Sequence, residues 1–315
     1  MAPMSDNMRG AALMMGSMAA FVTNDTLIKL ASQEMSLFQA ILVRGIFATL
    51  LIAVVAWRQK ALLVRLPPND RRLVVLRTTG EVGATVCFLT ALINMPLANA
   101  TAILQSVPLA LTLAAAIFLK EPVGWRRYAA IIIGFGGVMM IVRPGAADFN
   151  SYSLLALAAV GFIVLRELTT YRLSPGIPSL HVAFVASAAI LVLGAGGSTL
   201  GPWTPMTAYG VIVLAGAGLC LFAGYVLAVM TMRVGEIGFV TPFRYSILIW
   251  AIILGMVVFG DIPDVWTVLG ITIVVMTGLF TIYRERKLSR QAAAERTRDT
   301  TTGHAAARRS EADEG

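Results

Sequence analysis

Eight charged side chains stand inside long apolar stretches of this sequence: Asp25, Lys29, Arg44, Arg77, Glu81, Arg166, Glu167 and Arg244. A charge at the centre of a lipid-spanning helix costs on the order of 2.5–3.5 kcal/mol on insertion scales. Each therefore needs a partner, a water-filled cavity or a bound molecule. Asp25 with Lys29, and Arg77 with Glu81, stand four apart, the spacing of a helical ion pair. Arg44 and Arg244 have no acid at three or four residues on their own helix. Arg166 and Glu167 are adjacent, so their side chains diverge by about 100° around the helix.

Arginine presents a planar fork that binds carboxylate or phosphate through two parallel hydrogen bonds. One reading makes Arg44 and Arg244 the lining of a central cavity that attracts an anionic or carboxylate-bearing molecule. The other makes them interhelical ion pairs, for instance with Glu167 or Glu81. Gln105 just before Pro108, and Pro242 beside Phe243, Arg244 and Tyr245, add two breaks inside apolar runs. A proline there frees carbonyls, which lipid tolerates only where they line protein or water. Tyr225, Tyr245 and Trp250 have the shape to stack on a planar ring, although such residues equally serve as packing.

The elements that must position these groups are set by composition. Of 315 residues, 57% are hydrophobic and only 13% charged. Soluble proteins carry about 25% charge, so ordinary water-soluble domains are excluded. Ten stretches of about 20 apolar residues lie between residues 9 and 284, each long enough to cross a bilayer as a helix. The expected fold class is an all-α membrane protein with ten transmembrane helices. Runs such as residues 131–142 are apolar on every side, unlike the alternating strands of a barrel. Cys87 and Cys220 fall mid-helix and read as small packing residues.

Arg58, Lys60, Arg65, Arg71 and Arg72, then Lys120, Arg126 and Arg127, fall in alternate connections, while Glu34, Asp148, Asp261 and Asp264 fall in the others. By the positive-inside rule both termini are expected in the cytoplasm. The net charge of +8 thus reads as membrane topology and not as nucleic-acid binding.

An internal repeat is visible. Trp125, Gly137 and Arg143 match Trp266, Gly278 and Arg284 at one offset, and the same offset relates Gly83 to Gly224. Small residues recur every fourth position at Thr79, Gly83, Cys87 and Ala91, and at Gly216, Cys220, Gly224 and Ala228, a spacing that lets helix backbones approach. With five helices per copy the two copies must be inverted, which puts the turns at Glu121-Pro122 and Asp261-Ile262-Pro263 on opposite sides. Inverted repeats are the architecture of alternating-access carriers. The expected organisation is a short segment 1–8, a first repeat 9–143, a second repeat 151–284 and a disordered cytoplasmic tail 285–315. Asp25 and Glu167 fall within one residue of corresponding places on the two helices, so either is a candidate for carrying a coupling proton.

Residues 95–127 (MPLANATAILQSVPLALTLAAAIFLKEPVGWRR) and 242–263 (PFRYSILIWAIILGMVVFGDIP) resemble the drug/metabolite transporter superfamily in its ten-helix EamA branch. The resemblance covers about residues 10–284. The first half matches the family pattern; the second has Asp261 for Glu and one extra residue before Pro263. The resemblance implies a bacterial inner-membrane carrier for small organic metabolites, working by efflux or exchange. The alternative it leaves is uptake of riboflavin, S-adenosylmethionine or a similar ring-bearing metabolite.

No Walker A sequence, HExxH or Gly-x-Ser-x-Gly is present, so an ATP-driven pump, a zinc hydrolase and a serine hydrolase lack support. An enzyme is not expected, nor a cofactor or a resident metal. A channel is the alternative of another class, though no filter-like ring of residues is seen. The expected partners are a small-molecule substrate and the lipid bilayer, with no nucleic acid; a homodimer is left open.

Overall fold

A computed structural model describes residues 6–284 and 287, apart from 63, 121–123, 147–148, 175 and 235. The Glu121-Pro122 turn, Asp148, residues 1–5 and nearly all of the tail 285–315 lie outside the described residues. Ten helices are long and apolar enough to cross a membrane. They are α1 (Asp6–Ala31), α2 (Leu37–Arg58), α3 (Pro68–Asn94), α4 (Leu97–Phe118) and α5 (Trp125–Val142). Then follow α6 (Tyr152–Tyr171), α7 (Ser179–Ser198), α8 (Ala208–Val234), α9 (Thr241–Phe259) and α10 (Val265–Arg284). No strand occurs among the described residues.

Local chemistry sets the ends and the breaks. Ser36 caps α2, its hydroxyl accepting from the Gln39 N–H at 3.3 Å. Pro68 opens α3, where the missing N–H is not needed. Span α4 is interrupted at Gln105 and Ser106, because Pro108 offers no N–H to the preceding turn. Span α9 begins as a 3-10 turn, Thr241–Tyr245, over Pro242 and ends as a π-turn, Gly255–Phe259. Gly260, with φ +70°, then turns the chain into Asp261.

The helices pair across the two halves. Helix α1 packs along α8, and α3 along α6; α2 lies on α7. Likewise α1 touches α9 while α6 touches α4. Exchanging the halves maps α1–α8 onto α3–α6 and α1–α9 onto α4–α6, and α2–α7 onto itself. The sequence offset holds inside the contacts: a Cβ at Gly83 would lie 2.5 Å from the Phe162 ring, and one at Gly224 2.8 Å from the Phe21 ring. Phe21 and Phe162 are related by the same offset as the two glycines. The small-residue stripes are thus the seats of aromatic side chains from the opposite half, and the buried Ser17 hydroxyl bonds the Gly224 carbonyl at 2.8 Å.

The two ends of the bundle are packed differently. At one end meet the α1–α2, α3–α4, α5–α6, α7–α8 and α9–α10 connections. Gln39 exchanges two hydrogen bonds with the Thr204 backbone, Asn150 donates to the Asn94 carbonyl, and Arg143 pairs with Asp264. Both buried apolar clusters lie towards this end. Apart from Tyr245 and Leu248, every helical member, among them Ile28, Leu92, Leu97, Val138 and Val274, belongs to that half of its span. The opposite half builds no such cluster among the described residues. We refer to the sealed end by its loop residue, Asp261.

At Gly80 a Cβ would meet backbone, the Phe162 carbonyl at 2.9 Å and the Arg166 nitrogen at 3.0 Å, whereas Gly136 faces open space. Gly80→Val is expected to destabilise by about 1–3 kcal/mol through overpacking. Thermal unfolding in detergent checks this, with Gly136→Val expected to melt like the parent.

Candidate functional site

Five helices bring charge to the middle of the bundle: α1 gives Asn24 and Asp25, α2 Arg44, α3 Arg77 and Glu81, α6 Arg166 and Glu167, and α8 Tyr225. Arg166 is the hub. Its Nη1 lies 3.2 Å from Glu81 Oε1 and its Nη2 2.7 Å from Glu167 Oε1. Glu81 also faces Arg77 at 3.5 Å, the pair that the four-residue spacing predicts. Arg77 donates through Nε to Thr170 at 3.2 Å. Two arginines and two glutamates therefore neutralise one another between α3 and α6.

Arg44 is different. Its residue is only 6% exposed, yet it forms no ion pair among the described residues. One 3.5 Å contact links its Nη1 to Asn24 Oδ1, and its buried Nε has no partner at all. Asn24 turns its amide to Asp25 Oδ1 at 2.9 Å. The ionisable groups whose fields reach Arg44 are Asp25, Tyr225 and Glu81. At 1.5 Å per residue, Arg44 sits about 10 Å below the Asp261 end of α2. Arg166 sits about 8 Å from the opposite end of α6. A polar column runs between them.

Tyr225 stands beside the column. It feels Glu81, Arg166, Arg44 and Arg77 from three other helices, and Phe21 meets its ring edge-on at 5.3 Å. Even so, 48% of its surface stays accessible.

The expected residues fall into two groups. Arg44, Asp25, Glu81 and Glu167 come together in the column, while no hydrogen bond or ion pair ties Arg244, Gln105, Tyr245 or Trp250 to it among the described residues. Arg244 is exposed in the 3-10 turn of α9, Gln105 is half-buried at the α4 break, and Trp250 is 36% exposed. Tyr245 is 7% exposed, with an unpartnered hydroxyl pressed against Gly278. Arg44 and Arg244 are therefore not a matched pair.

The expected Asp25–Lys29 ion pair is also not formed. Lys29 turns to the sealed end, where Nζ donates to the Met95 carbonyl at 2.6 Å and lies 3.9 Å from Asp261 Oδ2. A carbonyl exposed at the α3–α4 turn and an aromatic face at Phe259, 4.9 Å away, give the ammonium more than one helical acid could. Spacing along α1 carries no trace of either. Asn24 as the bridge to Arg44 was signalled only by being a polar residue on an apolar helix.

A ten-span bundle whose halves exchange contacts around a charged column is the architecture of a multi-pass membrane protein. The family model described as "EamA-like transporter family" matches residues 8–143. A riboflavin transporter of Rhizobium johnstonii is 30% identical over 228 residues, 70% of this chain and 72% of that protein. The chain belongs to the EamA-like transporter family. An S-adenosylmethionine uptake transporter of Rickettsia bellii is 29% identical over 195 residues, 61% of this chain and 66% of that protein. A pseudopaline exporter of Pseudomonas aeruginosa is 25% identical over 270 residues, 81% of this chain and 89% of that protein. The match with the Rickettsia relative thus spans just under two thirds of its length.

Removing one partner of a paired charge strands the others. Glu81→Gln is expected to destabilise the fold by about 3–5 kcal/mol, because it removes the carboxylate that faces Arg77 and leaves Arg166 with Glu167 alone. Glu167→Gln, at a carboxylate 40% exposed, is expected to cost clearly less. Melting curves of the two purified variants separate them.

Proposed function

We propose that this chain is a secondary carrier of a small organic metabolite bearing a carboxylate or comparable anion, moved across the bacterial inner membrane by alternating access. Arg44 is the group that holds the anion. The observation that carries the reading is the guanidinium itself: nearly buried, without an ion-pair partner, and with a free Nε at the closed head of a polar column. A substrate carboxylate would complete its fork with two charge-assisted hydrogen bonds. Tyr225 offers an adjoining aromatic and hydroxyl surface, and Asp25 and Glu167 are the carboxylates available to carry a coupling proton.

With the termini in the cytoplasm, as the charge asymmetry of the connections argues, the Asp261 end is periplasmic. The sealed end then faces out and the column opens inward. Efflux or exchange is the reading preferred here, and the pseudopaline exporter among the relatives is compatible with it. Uptake of a ring-bearing metabolite is the second reading, favoured by the 30% identity to a riboflavin transporter. Both directions use the same anchor.

Thermal-shift screening of purified protein against metabolite pools identifies the ligand, since a molecule bound only by the folded state raises the melting temperature. The stabilising compounds are expected to carry an anion. Arg44→Ala is expected to weaken binding by a factor corresponding to about 2–5 kcal/mol, with Arg44→Lys recovering only part. Wild-type responses in Arg44→Ala would overturn the reading.

A further inference from the structure

At the sealed end Lys29 joins three chain segments at once. It grips the α3–α4 turn through the Met95 carbonyl, approaches Asp261 on the α9–α10 connection, and belongs itself to α1. Met95 and Leu97 beside it are buried members of the larger apolar cluster. Asp261 is delivered to this place by the π-turn of α9 and by Gly260 in the left-handed region, and its N–H bonds the Gly255 carbonyl at 3.0 Å. Just beside these contacts is a cavity of about 280 Å³, lined by Asn99, Asn150, Ser153, Asp261 and Asp264 among others.

Of the acids near Lys29 along the chain and across the bundle, Asp261 is incompletely satisfied. Asp261 Oδ2 is buried with no hydrogen bond, its lysine being 3.9 Å away. Asp25, one helical turn below Lys29, receives a hydrogen bond from Asn24. That four-residue spacing, acid first, is the favourable geometry for an ion pair along one helix. Lysine is a compact charge on a flexible four-carbon stem, so a change of rotamers carries it from one acid to the other. The repeat places Thr170 at the position equivalent to Lys29, so the opposite end has no matching lysine.

Resting on the reading of the chain as an alternating carrier, we infer that Lys29 is the gating residue of the Asp261 end, holding it shut on Asp261 and Met95 and releasing it by turning to Asp25. The small cavity beside Ser153 is then the outer station of the substrate path, separated from Arg44 by this lysine and the apolar residues around it. Two alternative ion pairs sharing one cation form a two-state element, and occupancy of the column biases it through Asp25, which also faces Arg44.

The test needs no substrate, so its failure is distinct from failure of the Arg44 reading. Ser153, 2% exposed, is changed to Cys as a reporter, with Asn99→Cys as a second reporter. The rate of labelling by a bulky water-soluble maleimide is measured in nanodiscs, where both faces are accessible, over the background of Cys87 and Cys220. Lys29→Met and Asp261→Asn are each expected to speed labelling by about tenfold, as an open population grows. Lys29→Arg is expected to stay near the parent, and Asp25→Asn to fall below it, since the lysine loses its alternative partner. Unchanged rates in both Lys29→Met and Asp261→Asn overturn the inference. So does faster labelling in Asp25→Asn, which would make the three residues a plain structural cluster.

Discussion

A guanidinium does not give up its proton and does not tolerate hydrocarbon. Burying one without a counter-ion costs several kcal/mol even after relaxation, so its presence dictates what surrounds it. Arg44 has no carboxylate in ion-pair contact among the described residues, only the field of Asp25 and more distant groups, and the polar residues around it follow from that constraint. Asn24 faces it, Asp25 and Tyr225 lie within its field, and the neutralised Arg77–Glu81–Arg166–Glu167 set continues towards the open end. The same column could have been built as a fully paired network. It is not, and the imbalance sits at one residue.

The scaffold that makes this affordable is the exchange of contacts between halves. Glycines on α3 and α8 let Phe162 and Phe21 enter, bringing α6 and α1 close enough for their polar residues to reach the axis. Arg166 lies one turn beyond Phe162, and Asp25 one turn beyond Phe21, so the residues that seat the helices also aim the charges. Apolar packing at the Asp261 end covers the column above Arg44, and no such cluster covers its other end among the described residues. Asymmetric packing of a symmetric chain fits the proposed carrier, held in one of its two states.

Much of this was legible in the sequence, and the rest fails to show there for identifiable reasons. Length and composition gave the spans, and the offset joining Gly83 to Gly224 pointed to the duplication. The Arg77–Glu81 pair was readable because both residues lie on one helix, where spacing is geometry. Arg44 stood out because a lone charge on an apolar helix is expensive. Contacts between helices carry no such periodic mark: Asn24 as the link to Arg44, Arg166 as the hub, and Lys29 turning to Asp261 depend on packing angles. Arg244 shows the same limit. Its depth along α9 resembles that of Arg44 along α2, but depth does not fix the face, and the 3-10 turn over Pro242 leaves it exposed.

The most direct measurement is an electron cryo-microscopy map of the purified protein in lipid nanodiscs, at a resolution that shows ordered water. The expected map has solvent density reaching Arg44 from the end opposite Asp261, no carboxylate of the chain paired with its guanidinium, and dry apolar packing above it. Contradiction would come from a carboxylate of the chain closed onto Arg44, or from a dry bundle in which neither end admits water to that side chain.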